Sequence, residues 1–153
     1  MKFSTQEEYG LRCLIRLAKV YGEPKGLTIP EISRAEGISE ANAAKILRIL
    51  RLGGLLESVR GQTGGYSLVK PPEKILIKEA LNILGGRLFD DNFCTVHSGN
   101  FSLCTNSIDC SIRSLWQLIQ MAVDRVSEKI TLKDLMVSEE EVITRFPIDV
   151  IES

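Results

Sequence analysis

Cys94, Cys104 and Cys110 fall in one polar segment, Cys94-Thr-Val-His97-Ser-Gly-Asn-Phe-Ser-Leu-Cys104-Thr-Asn-Ser-Ile-Asp-Cys110. Hydroxyl, amide and glycine residues interrupt any sustained apolar period, so hydrophobic packing is not what should order it. Three thiols in such a segment can be ordered by a disulfide or by a metal centre. Soft thiolates hold iron in clusters, which normally take four protein ligands, so three cysteines leave one place to fill. The sole histidine, His97, lies inside the segment, and Cys94, His97, Cys104 and Cys110 would complete a tetrahedral zinc set. Cys104 and Cys110 could instead form a switching disulfide. A cysteine-dependent enzyme using Cys94 with His97 is the remote alternative, because no oxyanion donors or orienting partner accompany the pair. The chain is therefore read as a non-enzyme.

The fourth cysteine, Cys13, stands among apolar residues of a helical pattern and reads as a small core side chain. Residues 1 to 8 carry no apolar run of the signal-peptide kind, and no stretch approaches the ~18 apolar residues of a membrane span. The expectation is a cytoplasmic protein without a membrane partner, where clustered cysteines serve metal or redox chemistry more often than stable disulfides. The net charge of −1 hides an asymmetry: residues 1–78 hold thirteen Lys/Arg against eight Asp/Glu, and residues 79–153 hold six against twelve. A basic first half suggests a nucleic-acid surface there.

The elements that must carry these residues read as follows. A first helix over 4–21 is capped by Ser4 or Thr5, with Glu7 and Glu8 at its positive end and Leu11, Leu14, Ile15, Leu17 and Ala18 as its apolar stripe. Thr28-Ile29-Pro30-Glu31 opens a short second helix ending near Gly37. Ser39 caps a third, whose apolar positions are Ala41, Ala44, Ile46, Leu47, Ile49, Leu50 and Leu52. Helix, glycine turn and helix within about 25 residues form a helix-turn-helix. Two β-prone runs around Gly61-Gln62-Thr63-Gly64-Gly65 make a hairpin, hence a wing. Pro71-Pro72 ends the wing, and a short helix follows that stops at Gly85-Gly86. After the cysteines, Ile112, Leu115, Trp116, Ile119, Val123, Val126 and Ile130 describe a long amphipathic helix, with a second subunit as the economical partner for its stripe. The fold class is mostly α with a small β-hairpin wing.

Met1-Lys2-Phe3-Ser4-Thr5, Tyr9-Gly10-Leu11-Arg12, Gly37-Ile38-Ser39 and above all Ser58-Val59-Arg60-Gly61-x-x-Gly64-Gly65-Tyr66-x-Leu68 with Pro71-Pro72 resemble the IscR/NsrR/CymR-type winged helix-turn-helix regulators, the Rrf-two family. The likeness runs over about residues 1–136. It implies a homodimer on double-stranded operator DNA, with the third helix in the major groove, the wing in the minor groove and the long C-terminal helix as dimer contact. The DNA-facing set is then Ser39, Glu40, Asn42, Ala43, Lys45 and Arg48 on the helix, with Arg60, Gly61, Gln62, Thr63 and Gly64 on the wing. Arg51 is the residue best explained as part of a solvated basic face. The expected division is a DNA-binding domain over 1–84, a sensor loop over 85–111, a dimerisation helix and terminal turn over 112–136, and an acidic tail over 137–153.

Cluster-binding members of that family carry three cysteines before the long helix, and Cys94, Cys104 and Cys110 match them. The Cys-x5-Cys spacing fits; the nine residues between Cys94 and Cys104 exceed the usual gap. Some relatives supply a fourth ligand as His three residues after the last Cys, where this chain has Arg113, and others use a carboxylate of the first helix. The resemblance therefore implies Glu8 as first choice, reaching the other subunit's loop, with His97 as runner-up. An iron–sulfur cluster ranks first, 2Fe–2S ahead of 4Fe–4S; thiol switching ranks second and zinc third. The expected function is a repressor of transcription that senses redox state, nitric oxide, oxygen or iron and cluster status.

Overall fold

A computed structural model describes residues 1–59, 64–147 and 149. Local chemistry at the chain's punctuation marks sets its helices. Ser4 Oγ accepts from the Glu7 N–H at 3.2 Å, and the Glu7 carboxylate accepts from the Ser4 N–H at 2.7 Å. This reciprocal box satisfies two otherwise orphan donors and starts helix α1, Thr5–Lys19. Thr28 Oγ1 accepts from the Glu31 N–H at 3.3 Å to open α2, Ile29–Glu36, and Gly37, at φ 65°, closes it. Ser39 Oγ accepts from the Asn42 N–H at 3.1 Å and starts α3, Glu40–Leu52.

The wing hairpin pairs β1, Leu56–Val59, with β2, Gly65–Leu68, antiparallel in the register Leu56↔Leu68 to Val59↔Gly65. Leu27 adds a third rung: its N–H donates to the Tyr66 carbonyl at 3.0 Å and its carbonyl accepts from the Tyr66 N–H at 2.7 Å. Gly26, just before it, has φ 59°, and a Cβ there would stand 2.2 Å from the Tyr66 carbonyl oxygen. The wing is thereby fastened to the strand-like entry into α2.

Helix α4, Ile77–Leu84, follows a 3-10 turn at Pro72–Lys74. The segment entering α4 pairs with the chain leaving the long helix: Ile77 N–H donates to Ile130 O at 2.9 Å and Leu132 N–H to Ile75 O at 2.8 Å. One helical turn, α5 at Phe93–Val96, precedes α6, Ser111–Ser127, and a last helix, α7, spans Glu139–Arg145. The long helix thus ends at Ser127, just short of Ile130, the last residue of the expected stripe. The tail, unassigned in structure from its sequence, holds a helix capped by Ser138, whose Oγ accepts from the Glu141 N–H at 3.3 Å.

The core is built by Cys13, Leu14 and Leu17 of α1, Ile32 of α2, Ile46, Leu47 and Leu50 of α3, Leu55, Leu56, Leu68, Ile75, and Ala80 and Leu84 of α4, together with Leu132. Burying one such aliphatic side chain stabilises by ~1.5–3 kcal/mol, so cohesion resides in the first 84 residues plus one returning leucine. Helix α6 contributes only Gln120 and Ser127 as buried residues. Its apolar Ile112, Leu115, Leu118 and Met121 remain 49% to 63% exposed. No helix among the described residues is long and apolar enough to cross a membrane.

Two expectations about α3 are corrected by this packing. Ala43, assigned to the DNA-facing set, is fully buried, because its position on the helix turns the methyl toward the core with Ile46, Leu47 and Leu50. Ala41 and Leu52, assigned to the apolar stripe, are exposed, Leu52 at 68%.

Candidate cysteine site and nucleic-acid interface

Cys94 sits within α5, Cys104 in the loop, and Cys110 at the N-cap of α6. All three are half-buried and free of disulfides. Two cavities, of about 260 and 320 Å³, share Cys94, Cys104, Asn106, Cys110 and Arg113 as walls, and the second also includes His97, Phe93 and Trp116. Cys110 Sγ accepts from the Arg113 N–H at 3.3 Å, and the Arg113 guanidinium donates to Ser107 O at 3.0 Å, pinning the loop to the start of α6. N–H···S bonds of this kind are among the groups that tune cluster potentials.

The donor set fits an iron–sulfur group in its chemistry: three soft sulfurs and one imidazole border a single space. Among the described residues, no group of three or more His, Cys, Asp and Glu side chains is arranged so that it could hold a metal ion. A metal or cluster on these side chains would require the loop to draw in, a coupling of metal binding to local ordering. Glu8 is exposed in the first turn of α1 and borders neither cysteine cavity.

Cys13 belongs to a different environment. Burial, with the Glu36 charge adding to it and Arg12 opposing, pushes its thiol from 9.0 up to about 11. It stays a neutral thiol at physiological pH, and its contribution to stability is fully present below 9.0 and is lost as pH rises toward about 11. The expected result with excess maleimide at neutral pH is rapid labelling of Cys94, Cys104 and Cys110 in the native apoprotein, with Cys13 labelled only after denaturation; peptide mass mapping checks it.

A polar node ties Arg87 and helix α6 to helix α4. The Arg87 guanidinium grips the Asp124 carboxylate of α6 with both terminal nitrogens, at 2.9 and 3.4 Å, and Gln120 Nε2 donates to the same carboxylate at 2.9 Å. Gln120 Oε1 in turn accepts from the Phe89 N–H at 3.0 Å. Lys78 of α4 completes the node, 3.7 Å from Asp124 and 3.3 Å from Glu128. Burial alone would raise the Asp124 carboxyl, but the hydrogen bonds from Arg87 and Gln120 and the charges of Arg87 and Lys78 hold it below its ordinary 3.8. A cavity of about 340 Å³ opens beside the node, bordered by Phe3, Leu81, Leu88 and Val123.

On α3, Glu40, Asn42, Lys45 and Arg48 are exposed, and Ser39 is exposed as the cap. Gly64 is exposed directly before β2, at the turn end of the hairpin, while Arg60, Gly61, Gln62 and Thr63 lie outside the described residues. The expected DNA-facing set stopped at the third helix and the wing; the structure also brings Thr5, Gln6 and Tyr9 of α1 beside Asn42 and Lys45 around a small cavity. No helical period announces that neighbourhood, since it joins two elements more than thirty residues apart. Arg12 stacks over Tyr9 at 5.4 Å and pairs with Glu36, as does Arg16 at 3.3 Å, so α1 and α2 are locked together behind α3.

The family described as "Rrf2: Iron-dependent Transcriptional regulator" matches residues 3–138. The HTH-type transcriptional regulator NsrR of Bacillus subtilis is 32% identical over 145 residues, covering 93% of this chain and 94% of that protein. The HTH-type transcriptional regulator CymR of the same organism is 31% identical over 135 residues, covering 88% and 89%. Among solved structures, T. potens IscR superposes with a TM-score of 0.68 at 28% identity, covering 89% of this chain and 86% of that one.

Proposed function

The chain belongs to the Rrf2 family of transcriptional regulators, and within it we propose a homodimeric repressor whose grip on operator DNA is governed by an iron–sulfur cluster held by Cys94, Cys104 and Cys110. The observation that carries this reading is the convergence of three free thiols on one space at the head of α6. That helix projects Ile112, Leu115, Leu118 and Met121 into solvent. An apolar row on a long helix outside its own core supports packing on another helix, and a second copy of α6 supplies a matching row. A dimer contact along that row would have the cysteine loop at its edge, which is what the approach of Glu8 from a second copy requires.

The DNA-reading chemistry follows from the exposed face of α3. Asn42 and Glu40 stand at its first turn, where a recognition helix meets base edges, and Lys45 and Arg48 stand where phosphates pass. In a two-fold dimer the two α3 helices must meet half-sites about 34 Å apart, so a small change in the angle between subunits uncouples one of them. When bound, the cluster supplies a group whose charge and ligation change with electrons, oxygen, nitric oxide or iron supply. The chain's own residues convert that change: Cys110 starts α6, Asp124 of α6 faces Lys78 of α4, and α4 packs with α1 and α3.

Anaerobic purification with iron and sulfide counts and visible absorption tests the cofactor. Equal iron and acid-labile sulfide with visible charge-transfer bands is the expected result; a colourless protein with one zinc per chain would overturn it. Operator titrations at several salt concentrations test the interface. Lys45→Ala and Arg48→Ala should each lower the slope of log K against log salt by about 1. A second reading, a cluster-free thiol switch, is favoured by one observation: Cys104 and Cys110 border the same two cavities as free thiols. An operator affinity that responds to peroxide and dithiol in iron-free protein would select it.

A further inference from the structure

We infer that His97, through Nε2, is the fourth protein ligand beside Cys94, Cys104 and Cys110, supplied by the same subunit as the three cysteines; this rests on the cluster reading above. His97 Nδ1 lies 2.8 Å from the carbonyl oxygen of Phe93. A carbonyl only accepts, so Nδ1 is the donor in this contact, and in the neutral ring that leaves Nε2 with the lone pair a metal needs. Metal-bound imidazoles are held this way, with the second ring nitrogen donating to a backbone carbonyl or carboxylate that fixes tautomer and orientation. The ring plane is fixed as well, stacked on Phe93 with centroids 4.2 Å apart and planes 24° from parallel.

Position agrees with orientation. His97 is the C-cap of α5 and Cys94 is inside it, so the two sit three residues apart on one face of a single turn. Both border the cavity that Cys104 and Cys110 also line, whereas Glu8 of the same chain does not. An imidazole ligand adds no charge to the set. Three thiolates with an imidazole carry one negative charge fewer than three thiolates with a carboxylate. Histidine in place of an anionic ligand raises cluster potentials, so this ligand makes the site easier to reduce than a Glu8 ligand would.

The chain contains one histidine, so an untagged protein labelled only with ¹⁵N-histidine reports on His97 alone. Full-length protein is loaded anaerobically with ferric iron and sulfide in an imidazole-free buffer, reduced by one electron to its paramagnetic state, and compared with unlabelled protein by pulsed electron paramagnetic resonance. The expected result is a strongly coupled nitrogen that changes from the ¹⁴N to the ¹⁵N pattern with the label. In parallel, His97→Ala should lose iron to a chelator at least about tenfold faster than the unsubstituted protein, and Glu8→Ala at an unchanged rate. A loaded cluster with no label-dependent coupling, or equal chelator rates for His97→Ala and the unsubstituted protein, overturns His97 and leaves the cluster standing. A chain that takes up neither iron nor sulfide overturns both.

Discussion

Cys110→Ser should fold as the unsubstituted protein does yet retain less than about a tenth of its iron. Two properties of the position separate ligation from stability. Cys110 is the N-cap of α6, its sulfur accepting the Arg113 N–H; serine is a better N-cap than cysteine, so the helix start is preserved or improved. At the metal the same exchange is severe, because a hydroxyl stays protonated at neutral pH and offers a hard oxygen in place of a soft thiolate. Circular dichroism should therefore give an unchanged helix content and melting temperature, while iron and sulfide counts fall together. Operator affinity should become indifferent to loading. Full iron and sulfide in Cys110→Ser would remove this residue from the ligand set, and with it the argument from the head of α6.

Gly26→Ala should destabilise the protein by ~2–5 kcal/mol, the sum of left-handed backbone strain and overpacking. The strain arises because Gly26 has φ 59°, and the overpacking because an added Cβ would meet the Tyr66 carbonyl oxygen at 2.2 Å. That oxygen is no flexible tip: it accepts the Leu27 N–H in the rung that fastens the wing. Relief of the contact means separating Leu27 from β2. Melting temperature should drop by about 4–20 °C, and specific operator affinity should fall more than non-specific affinity, since the wing is displaced while the basic face of α3 remains. Gly22→Ala is the control: φ is also positive, at 90°, but no atom lies within 4 Å of the added methyl. Equal melting temperatures for the two variants would refute the crowding argument.

The caps made most of the fold legible. Ser4, Thr28, Ser39 and Gly37 each mark a helix boundary through a hydrogen bond or a dihedral that only a few residue types supply. Leu52 failed as the last residue of its helix, 68% exposed beyond the core-facing turns, and the other failures on α3 came where the side chain is too small to signal its face. Ala43 and Ala44 are adjacent, and a methyl on either is compatible with core or solvent; the structure buries Ala43 completely. The turn of α5 was illegible for a different reason, since four residues cannot display a period of 3.6. The cysteines themselves were visible as a cluster, but their common cavity, and the Phe93 carbonyl 2.8 Å from His97 Nδ1, depend on backbone geometry. The capping signal of Ser138 with Glu141 was present in the tail and was masked by its run of acidic residues.

The Asp124 node has a mechanical meaning. Between the loop and α4 stand partly exposed ion pairs, each worth ~0–1 kcal/mol, beside an open space of about 340 Å³ rather than close-packed side chains. Such a joint is compliant: it holds the resting angle of α6 but stores little energy when that angle changes. The first domain, cohering through its own leucines, is stiff by comparison. On the function proposed above, such a joint works as a bearing: α6 can swing against the leucine-packed first half of the chain without disturbing that half's core.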